Sequence, residues 1–252
     1  MFEFAVTRKP GRNFADGLTT ANLGLPDFKL ILEQHSAYVS TLRSLGLEVE
    51  VLQSLPEYPD AYFVEDVAIV TPEVAVIANP GAKERTRETE HIEPSLAQYR
   101  SIARILSPGT LDGGDVLQVG NHYYIGVSAR TNREGARQLG AILHQYDCLC
   151  TTVPVSGGLH LKSDVSYIGR NTLLITEALA GAKAFIDYDK ILVDVEETYA
   201  ANSLLINNRI LTPEGFPRTH KKLIDAGFDI IEIKTSEVQK MDGGLSCMSL
   251  RF

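Results

Sequence analysis

The sequence predicts an α/β fold in which five pseudo-symmetric β-β-α-β units close around a central axis, as the blades of a propeller do. Short apolar hairpins recur along the chain, and segments with helical periodicity follow several of them. A polar residue opens each hairpin, and these residues recur about every 45 positions, as in an internal repeat. In chain order they are Asp66, Asp115, Asp164, Asn202 and Cys247. The pattern predicts one domain over residues 1–252.

The first unit begins with a strand and continues into a long loop. Residues 2–6 alternate between two faces, as a strand does. Residues 7–24 are polar and rich in glycine, which predicts a loop long enough to be functional. Helical periodicity begins near Pro26 and stops at Gly46, a residue type that often ends helices. Residues 47–52 are predicted to be the next strand.

The later units follow the same pattern. The predicted hairpins pair residues 63–70 with 73–79, 111–119 with 122–127, 159–168 with 171–176, and 200–206 with 209–212. The predicted helices cover residues 85–103, 132–146 and 217–226. Cys247 begins a fifth hairpin, which the N-terminal strand completes. An ordinary α/β domain whose hairpins recur by chance is the alternative, and the spacing favours the repeat.

The composition excludes several classes of function. Of the 252 residues, 44% are hydrophobic and 22% are charged, which is ordinary for a globular protein. The formal net charge of −8 and the absence of a basic run disfavour nucleic-acid binding. The N-terminal residues do not resemble a signal peptide, and no apolar run approaches the ~20 residues that span a bilayer. We therefore expect a cytoplasmic protein without a membrane partner.

The three cysteines are too few for a disulfide framework. Cys148 and Cys150 alternate in a strand-like run, which predicts that both pack on one face as core residues. Cys247 follows a Gly-Gly turn where a loop enters a strand, a place where a thiol is held rigidly and still faces a pocket. Taken alone, a buried structural thiol is the more common interpretation.

Six motifs in order resemble those of the dimethylarginine dimethylaminohydrolase family, over essentially the whole chain. These enzymes belong to the guanidino-group-modifying superfamily, whose fold is the five-bladed α/β propeller called the pentein fold. The resemblance implies hydrolysis of Nω-methylated arginine to citrulline and a methylamine. The motifs are Phe63-Val-Glu-Asp66, Leu111-Asp-Gly-Gly-Asp115, Ser128-Ala-Arg130-Thr-Asn132, Gly158-Leu-His160-Leu-Lys162, Tyr199-Ala-Ala-Asn202 and Asp242-Gly-Gly-Leu-Ser-Cys247.

The resemblance implies three catalytic residues. Cys247 matches the nucleophile that attacks the guanidinium carbon and forms a covalent thiouronium intermediate. His160 matches the general acid that protonates the leaving amine and then activates water. Asp112 matches the acidic residue that orients the histidine. These roles suit a guanidinium, which is planar, permanently cationic and a poor electrophile.

The resemblance also implies a set of substrate contacts. Asp66 matches the carboxylate that clamps the guanidinium. Neighbouring Glu65 is a further predicted substrate contact, although a regular strand would point it to the opposite face. Arg85 and Arg130 match arginines that bind the substrate carboxylate. Asp60 matches the residue that takes the ammonium.

The remaining assignments concern the rim of the pocket. Leu18 and Met241 match positions whose backbone carbonyls contact substrate, which makes the loop around Leu18 a lid. Asp115 is interpreted as a turn residue without chemistry. Lys162 is expected to tune the histidine or to close a salt bridge.

We expect a small-molecule substrate, no cofactor and no metal, and a homodimer is compatible with the sequence. Arginine deiminase shares the fold and the Cys/His/carboxylate set but resembles a longer chain with an inserted helical domain. Agmatine deiminase is disfavoured because Arg85 and Arg130 imply a substrate carboxylate. Amidinotransferases are longer chains. A non-catalytic pentein binding protein, such as a ribosome anti-association factor, has the length but lacks the catalytic set.

Overall fold

The computed structural model describes residues 1–252 and contains 15 strands and six α-helices. The strands are β1 (Phe4–Arg8), β2 (Glu48–Leu52), β3 (Ala68–Val70), β4 (Val74–Ile77), β5 (Ser101–Arg104), β6 (Val116–Val119), β7 (His122–Val127), β8 (Leu149–Pro154), β9 (Val165–Gly169), β10 (Thr172–Ile175), β11 (Asp189–Leu192), β12 (Leu204–Ile206), β13 (Arg209–Pro213), β14 (Ile230–Ile233) and β15 (Leu250–Arg251). The helices are α1 (Phe28–Ser44), α2 (Glu93–Leu96), α3 (Arg133–His144), α4 (Glu177–Ala180), α5 (Pro217–Asp225) and α6 (Ser236–Gln239). No helix is both long and apolar enough to cross a membrane.

The strands form five three-stranded sheets, which confirms the predicted five-bladed pentein propeller. In each blade the first two strands are antiparallel and the third runs parallel to the second, as in a β-β-α-β unit. The blades are β15-β1-β2, β3-β4-β5, β6-β7-β8, β9-β10-β11 and β12-β13-β14. As expected, the segment after Cys247 pairs with the N-terminal strand, so one blade joins the two ends of the chain.

Helix ends follow local chemistry that the sequence reveals. Asp27 precedes α1 and its carboxylate accepts the N–H of Leu30, and Asn132 caps α3 in the same way through Gly135. Pro217 occupies the first turn of α5, where its missing N–H costs nothing. The predicted helices near these three positions are confirmed to within one or two residues.

The helix predicted over residues 85–103 is wrong. The segment contains a 3-10 turn (Lys83–His91), the four-residue helix α2 and the strand β5. Pro94 lies in the first turn of α2, where proline starts a helix rather than continuing one. Residues 101–104 instead pair in parallel with β4, which supplies the third strand of that blade.

The polar residues that open the hairpins lie in or beside 3-10 turns, not in strands as predicted. These turns are Val64–Val67, Gly113–Asp115, Leu161–Ser163, Val195–Ala201 and Ser246–Met248. Strand alternation therefore cannot assign Glu65, His160 or Lys162 to a face. The shared-face prediction for the other two cysteines is also wrong, because Cys148 precedes β8 and is buried, whereas Cys150 lies in β8 and is exposed.

The first strands of the blades pack side by side around the axis, with β3 beside β15 and β9 beside β6 and β12. The 3-10 turns that precede these strands consequently gather at one end of the axis. The turn at 64–67 contacts those at 113–115 and 246–248, and the turn at 161–163 contacts those at 113–115 and 195–201. We call these five turns the axial turns. They bring residues from distant parts of the chain together.

Candidate active site

A cavity of about 650 Å³ opens at the axial turns. Its lining combines carboxylates, arginines, an imidazole and a thiol. Two of the predicted site residues, Glu65 and Asp112, lie behind its wall rather than on its surface. The predicted residues that line it are Leu18, Asp60, Asp66, Arg85, Arg130, His160, Met241 and Cys247.

Cys247 lies in the axial turn Ser246–Met248 and is 9% exposed. The N–H of Gly244 points at its sulfur at 3.4 Å. Burial raises the pKa of the thiol to about 12, and the carboxylates of Asp66 and Glu65 act in the same direction. Cys247 is therefore a neutral thiol at neutral pH.

His160 precedes the axial turn Leu161–Ser163, and its ring lies between two carboxylates. Nε2 is 3.1 Å from Oδ2 of Asp112, and Nδ1 is 3.9 Å from Oδ1 of Asp66. Burial lowers the pKa of His160, but the charge of Asp66 and the hydrogen bond to Asp112 outweigh it, so the net pKa is raised. Gly114 packs against the imidazole so closely that an added Cβ would lie 2.5 Å from Nδ1.

Asp112 is fully buried and is held from several sides. The N–H of Gly81 donates to Oδ1 at 2.8 Å, and Thr131 accepts the backbone N–H of Asp112. Burial raises the pKa of this carboxyl, but the hydrogen bond from His160 and the imidazolium charge lower it by more than burial raises it. The net pKa therefore lies below the usual value. The pair therefore favours an imidazolium beside a carboxylate.

Asp115 has a structural function that the sequence interpretation missed. Its carboxylate accepts the N–H of Leu161 at 2.8 Å and the hydroxyl of Ser128 at 2.6 Å. It thereby ties the turn that carries His160 to the preceding blade. Burial raises the pKa of Asp115, and the charge of His160 and the hydrogen bonds to the carboxylate offset this only in part. The sequence offers one signal of this function, an aspartate between Gly-Gly and an apolar valine. Such a position is buried, and a buried carboxylate needs hydrogen-bond donors.

Asp66 belongs to a buried charge network. Arg85 donates through Nη1 to Oδ2 of Asp66 at 2.6 Å, and through Nε and Nη2 to Glu88. Nη2 of Arg85 also donates to the backbone oxygens of Asp60 and Phe63. A guanidinium has five N–H groups, so Nη1 keeps one N–H for a ligand. The network fixes Asp66 at the cavity wall.

Arg130 is the less constrained of the two predicted arginines. Its side chain is 21% exposed, and the nearest carboxylate oxygen, of Asp112, is 3.8 Å from Nη1. Arg85, in contrast, is buried and hydrogen-bonded on both sides. Arg130 can therefore turn its N–H groups toward an anion in the cavity.

Four residues of the loop that contains Leu18 line one side of the cavity. The backbone N–H of Leu18 donates to both oxygens of Asp60 at 3.1 Å. The loop is also tied to the segment before Cys247, because the hydroxyl and N–H of Thr20 donate to Asp242. Met241, beside that aspartate, is buried and lines the cavity.

Glu65 lies beneath the cavity, and both of its carboxylate oxygens are occupied by protein donors. Lys162 and Arg251 bind Oε1 at 2.6 and 2.8 Å, and the hydroxyl of Ser246 donates to Oε2 at 2.6 Å. Burial raises the pKa of Glu65, but the two cations outweigh it and the pKa is lowered. Glu65 therefore supports the turn beside Cys247, and Lys162 closes a salt bridge.

Three of these groups lie close enough to hold a metal ion. One ligand atom each from Asp66, Asp112 and His160 lies within 4.8 Å of the others. Two of the three residues already accept backbone N–H groups, Asp66 from Gly114 and Asp112 from Gly81. The arrangement suits proton transfer through the imidazole.

Several known proteins are similar to this chain. Residues 28–251 match a family model described as N,N dimethylarginine dimethylhydrolase, eukaryotic. The chain is 42% identical to the N(G),N(G)-dimethylarginine dimethylaminohydrolase of Pseudomonas aeruginosa over 100% of both chains. It is 35% identical to the enzyme of that name from Streptomyces coelicolor, over 98% of this chain and 96% of that one. A solved cysteine-to-serine mutant of the Pseudomonas protein, complexed with citrulline, superposes with a TM-score of 0.98 over 100% of both chains.

The pairing of His160 with Asp112 can be tested directly. In Asp112→Asn the imidazolium loses a charged partner, so we expect the pKa of His160 to fall and kcat to drop by about 10²-fold, the lower end of general acid–base effects. NMR titration of the His160 ring measures the first quantity. Asp189→Asn, on an exposed strand residue, is the control. A His160 pKa unchanged in Asp112→Asn would contradict the assigned pairing.

Proposed function

Because the chain belongs to the dimethylarginine dimethylaminohydrolase family, we propose that its site hydrolyses Nω-methylated L-arginine to L-citrulline and a methylamine. The observation that carries the proposal is the cavity in which Cys247, His160 and Asp66 face a common space. A nucleophile, a proton donor and a carboxylate are the groups that cleavage of a guanidinium requires. The citrulline complex of the Pseudomonas relative supports the proposed product.

The resting thiol becomes reactive when a cation binds. The carboxylates of Asp66 and Glu65 disfavour a thiolate at Cys247. A bound guanidinium places a positive charge beside the sulfur and offsets them, so the thiol releases its proton to solvent. Activation is thereby coupled to the presence of substrate.

In the first half-reaction the thiolate attacks the central guanidinium carbon. The S–C bond forms, the C–N bond to the methylated nitrogen breaks, and the imidazolium of His160 gives its proton to the departing amine. The products are free dimethylamine, a neutral imidazole and a thiouronium cation on Cys247. The raised pKa of His160 keeps the proton available at the start.

In the second half-reaction water takes the place of the amine. The neutral imidazole of His160 accepts a proton from water, and the hydroxide adds to the thiouronium carbon. The S–C bond then breaks, and the remaining hydroxyl proton restores the thiol as citrulline forms. Asp112, held by Gly81 and Thr131, stabilises the imidazolium at the end as at the beginning.

The amino-acid end of the substrate is proposed to lie toward the lid loop. Arg130 binds the carboxylate, with the remaining N–H of Arg85 as a second donor, and Asp60 accepts the ammonium. The backbone carbonyls of Leu18 and Met241 complete these contacts. Glu65 acts on the substrate indirectly, through the turn beside Cys247. The lid loop then excludes water until the amine leaves.

We further propose that residues 1–252 act as one catalytic domain in the cytoplasm, as a monomer or a homodimer. We expect the protein to bind a small molecule and to bind neither nucleic acid nor a membrane. The formal charge of −8 supports a cationic substrate over phosphate-rich partners.

A substrate panel tests the proposed reaction. We expect citrulline from asymmetric dimethylarginine and monomethylarginine, and none from any substrate with Cys247→Ser, whose hydroxyl is a far weaker nucleophile. Free arginine, agmatine and a methylated agmatine are assayed beside them. Turnover of unsubstituted arginine alone would favour a deiminase, and no turnover at all would favour a binding protein.

The role of Arg130 predicts a selective loss of binding. In Arg130→Ala we expect KM for dimethylarginine to rise roughly 10- to 150-fold. This corresponds to a loss of about 1.5–3 kcal/mol of binding free energy, as for a charged hydrogen bond. Any residual turnover of methylated agmatine, which lacks the carboxylate, should not change. Arg133→Ala, on an exposed residue of α3, is the matched control. An equal loss with both substrates would contradict the carboxylate assignment.

A further inference from the structure

Asn202 joins the turn of the nucleophile to the turn of the histidine. It lies at the end of the axial turn Val195–Ala201, is 7% exposed, and belongs to a different blade from either catalytic residue. Its Oδ1 accepts the N–H of Ser246 at 2.9 Å, and its Nδ2 donates to the carbonyl of Lys162 at 2.9 Å. Ser246 precedes Cys247, and Lys162 lies two residues after His160.

The orientation of this amide is determined by its partners. The carbonyl of Lys162 only accepts and the N–H of Ser246 only donates, so the amide cannot be reversed. Nδ2 also donates to the hydroxyl of Ser246 at 3.0 Å, and that hydroxyl donates to Glu65. Both N–H groups of Asn202 are therefore used within the protein, and none remains for a substrate.

The backbone near the nucleophile is shaped to admit this side chain. A Cβ at Gly244 would lie 2.5 Å from Cγ and 2.6 Å from Oδ1 of Asn202, so only glycine allows the approach. The same glycine donates its N–H to the sulfur of Cys247. The amide, the glycine and the thiol thus form one closely packed unit.

We propose that Asn202 is a positioning residue, which sets the distance between the sulfur of Cys247 and the imidazole of His160. The inference rests on the proposed function and adds a residue to it. The hydrolysis needs the thiol and the imidazole to reach the same carbon in turn, and displacements near 1 Å cost about 10²-fold in rate. Asn202 joins the two turns through backbone groups of both, whereas Glu65 joins them through the side chains of Lys162 and Ser246. Asp115 contacts the histidine turn but not the nucleophile turn.

Two variants test this inference against a merely structural role. In Asn202→Ala we expect kcat for dimethylarginine to fall about 10²-fold while KM changes little, because the proposed substrate contacts lie on other elements. In Asn202→Asp the introduced carboxyl has the same shape and can donate to Lys162 only when protonated. Its kcat relative to the wild type should therefore be highest at low pH and fall as the carboxyl ionises.

Asn121→Asp is the matched control, because that amide also donates to a backbone carbonyl, but in an exposed hairpin turn. Its pH profile should follow the wild type. Citrulline binding and Tm are measured for each variant, so that an unfolded Asn202→Ala leaves Asn202→Asp as the test. If the wild type is active and Asn202→Asp keeps both its kcat and its pH profile, the inference is wrong. An inactive wild type would instead contradict the proposed function.

Discussion

A closed circuit of side-chain hydrogen bonds joins the five blades at their axial turns. Each link runs from a side chain of one turn to a neighbouring blade, so no blade can tilt without breaking a buried polar contact. Such a break leaves a donor or acceptor unsatisfied, at a cost of about 1–3 kcal/mol. The links are Asp66 to Gly114, Asp115 to Leu161, Asn202 to Lys162, Asn202 to Ser246, and Ser246 to Glu65.

The circuit also determines the electrostatics of the site. It places several carboxylates around a small cavity, and burial makes each of them costly unless a cation or donor is near. Arg85 compensates Asp66, and Lys162 compensates Glu65, but the thiol of Cys247 remains under a net negative influence. A cationic head group supplies the charge that is missing. In the proposed reaction the same carboxylates therefore disfavour the thiolate of Cys247 and attract the cationic substrate that offsets them.

Much of this arrangement was predictable from the sequence, because polar residues recur at the start of each hairpin. The spacing predicted five units, and motif order predicted which side chains meet. The axial turns were not predictable from alternation, since a short 3-10 turn and a strand start look alike over three or four residues. The helix prediction over residues 85–103 was wrong because Pro94 marks the start of a helix rather than its middle. The sequence identified Asp115 and Asn202 as repeat positions, but it did not predict their contacts, because these include backbone groups of other blades, which no local pattern reveals.

The most direct test of the account is the chemical state of Cys247 during turnover. We expect acid quenching during turnover of asymmetric dimethylarginine, followed by peptide mass spectrometry, to find an adduct on the peptide that contains Cys247. The mass of this adduct should be that of the substrate minus dimethylamine. The adduct should be lost in Cys247→Ser, and it should form more slowly when His160 is replaced, because the departing amine then lacks its proton donor. Turnover without a Cys247 adduct, or an adduct on Cys148 or Cys150 instead, would contradict the proposal that the axial turns assemble one covalent site.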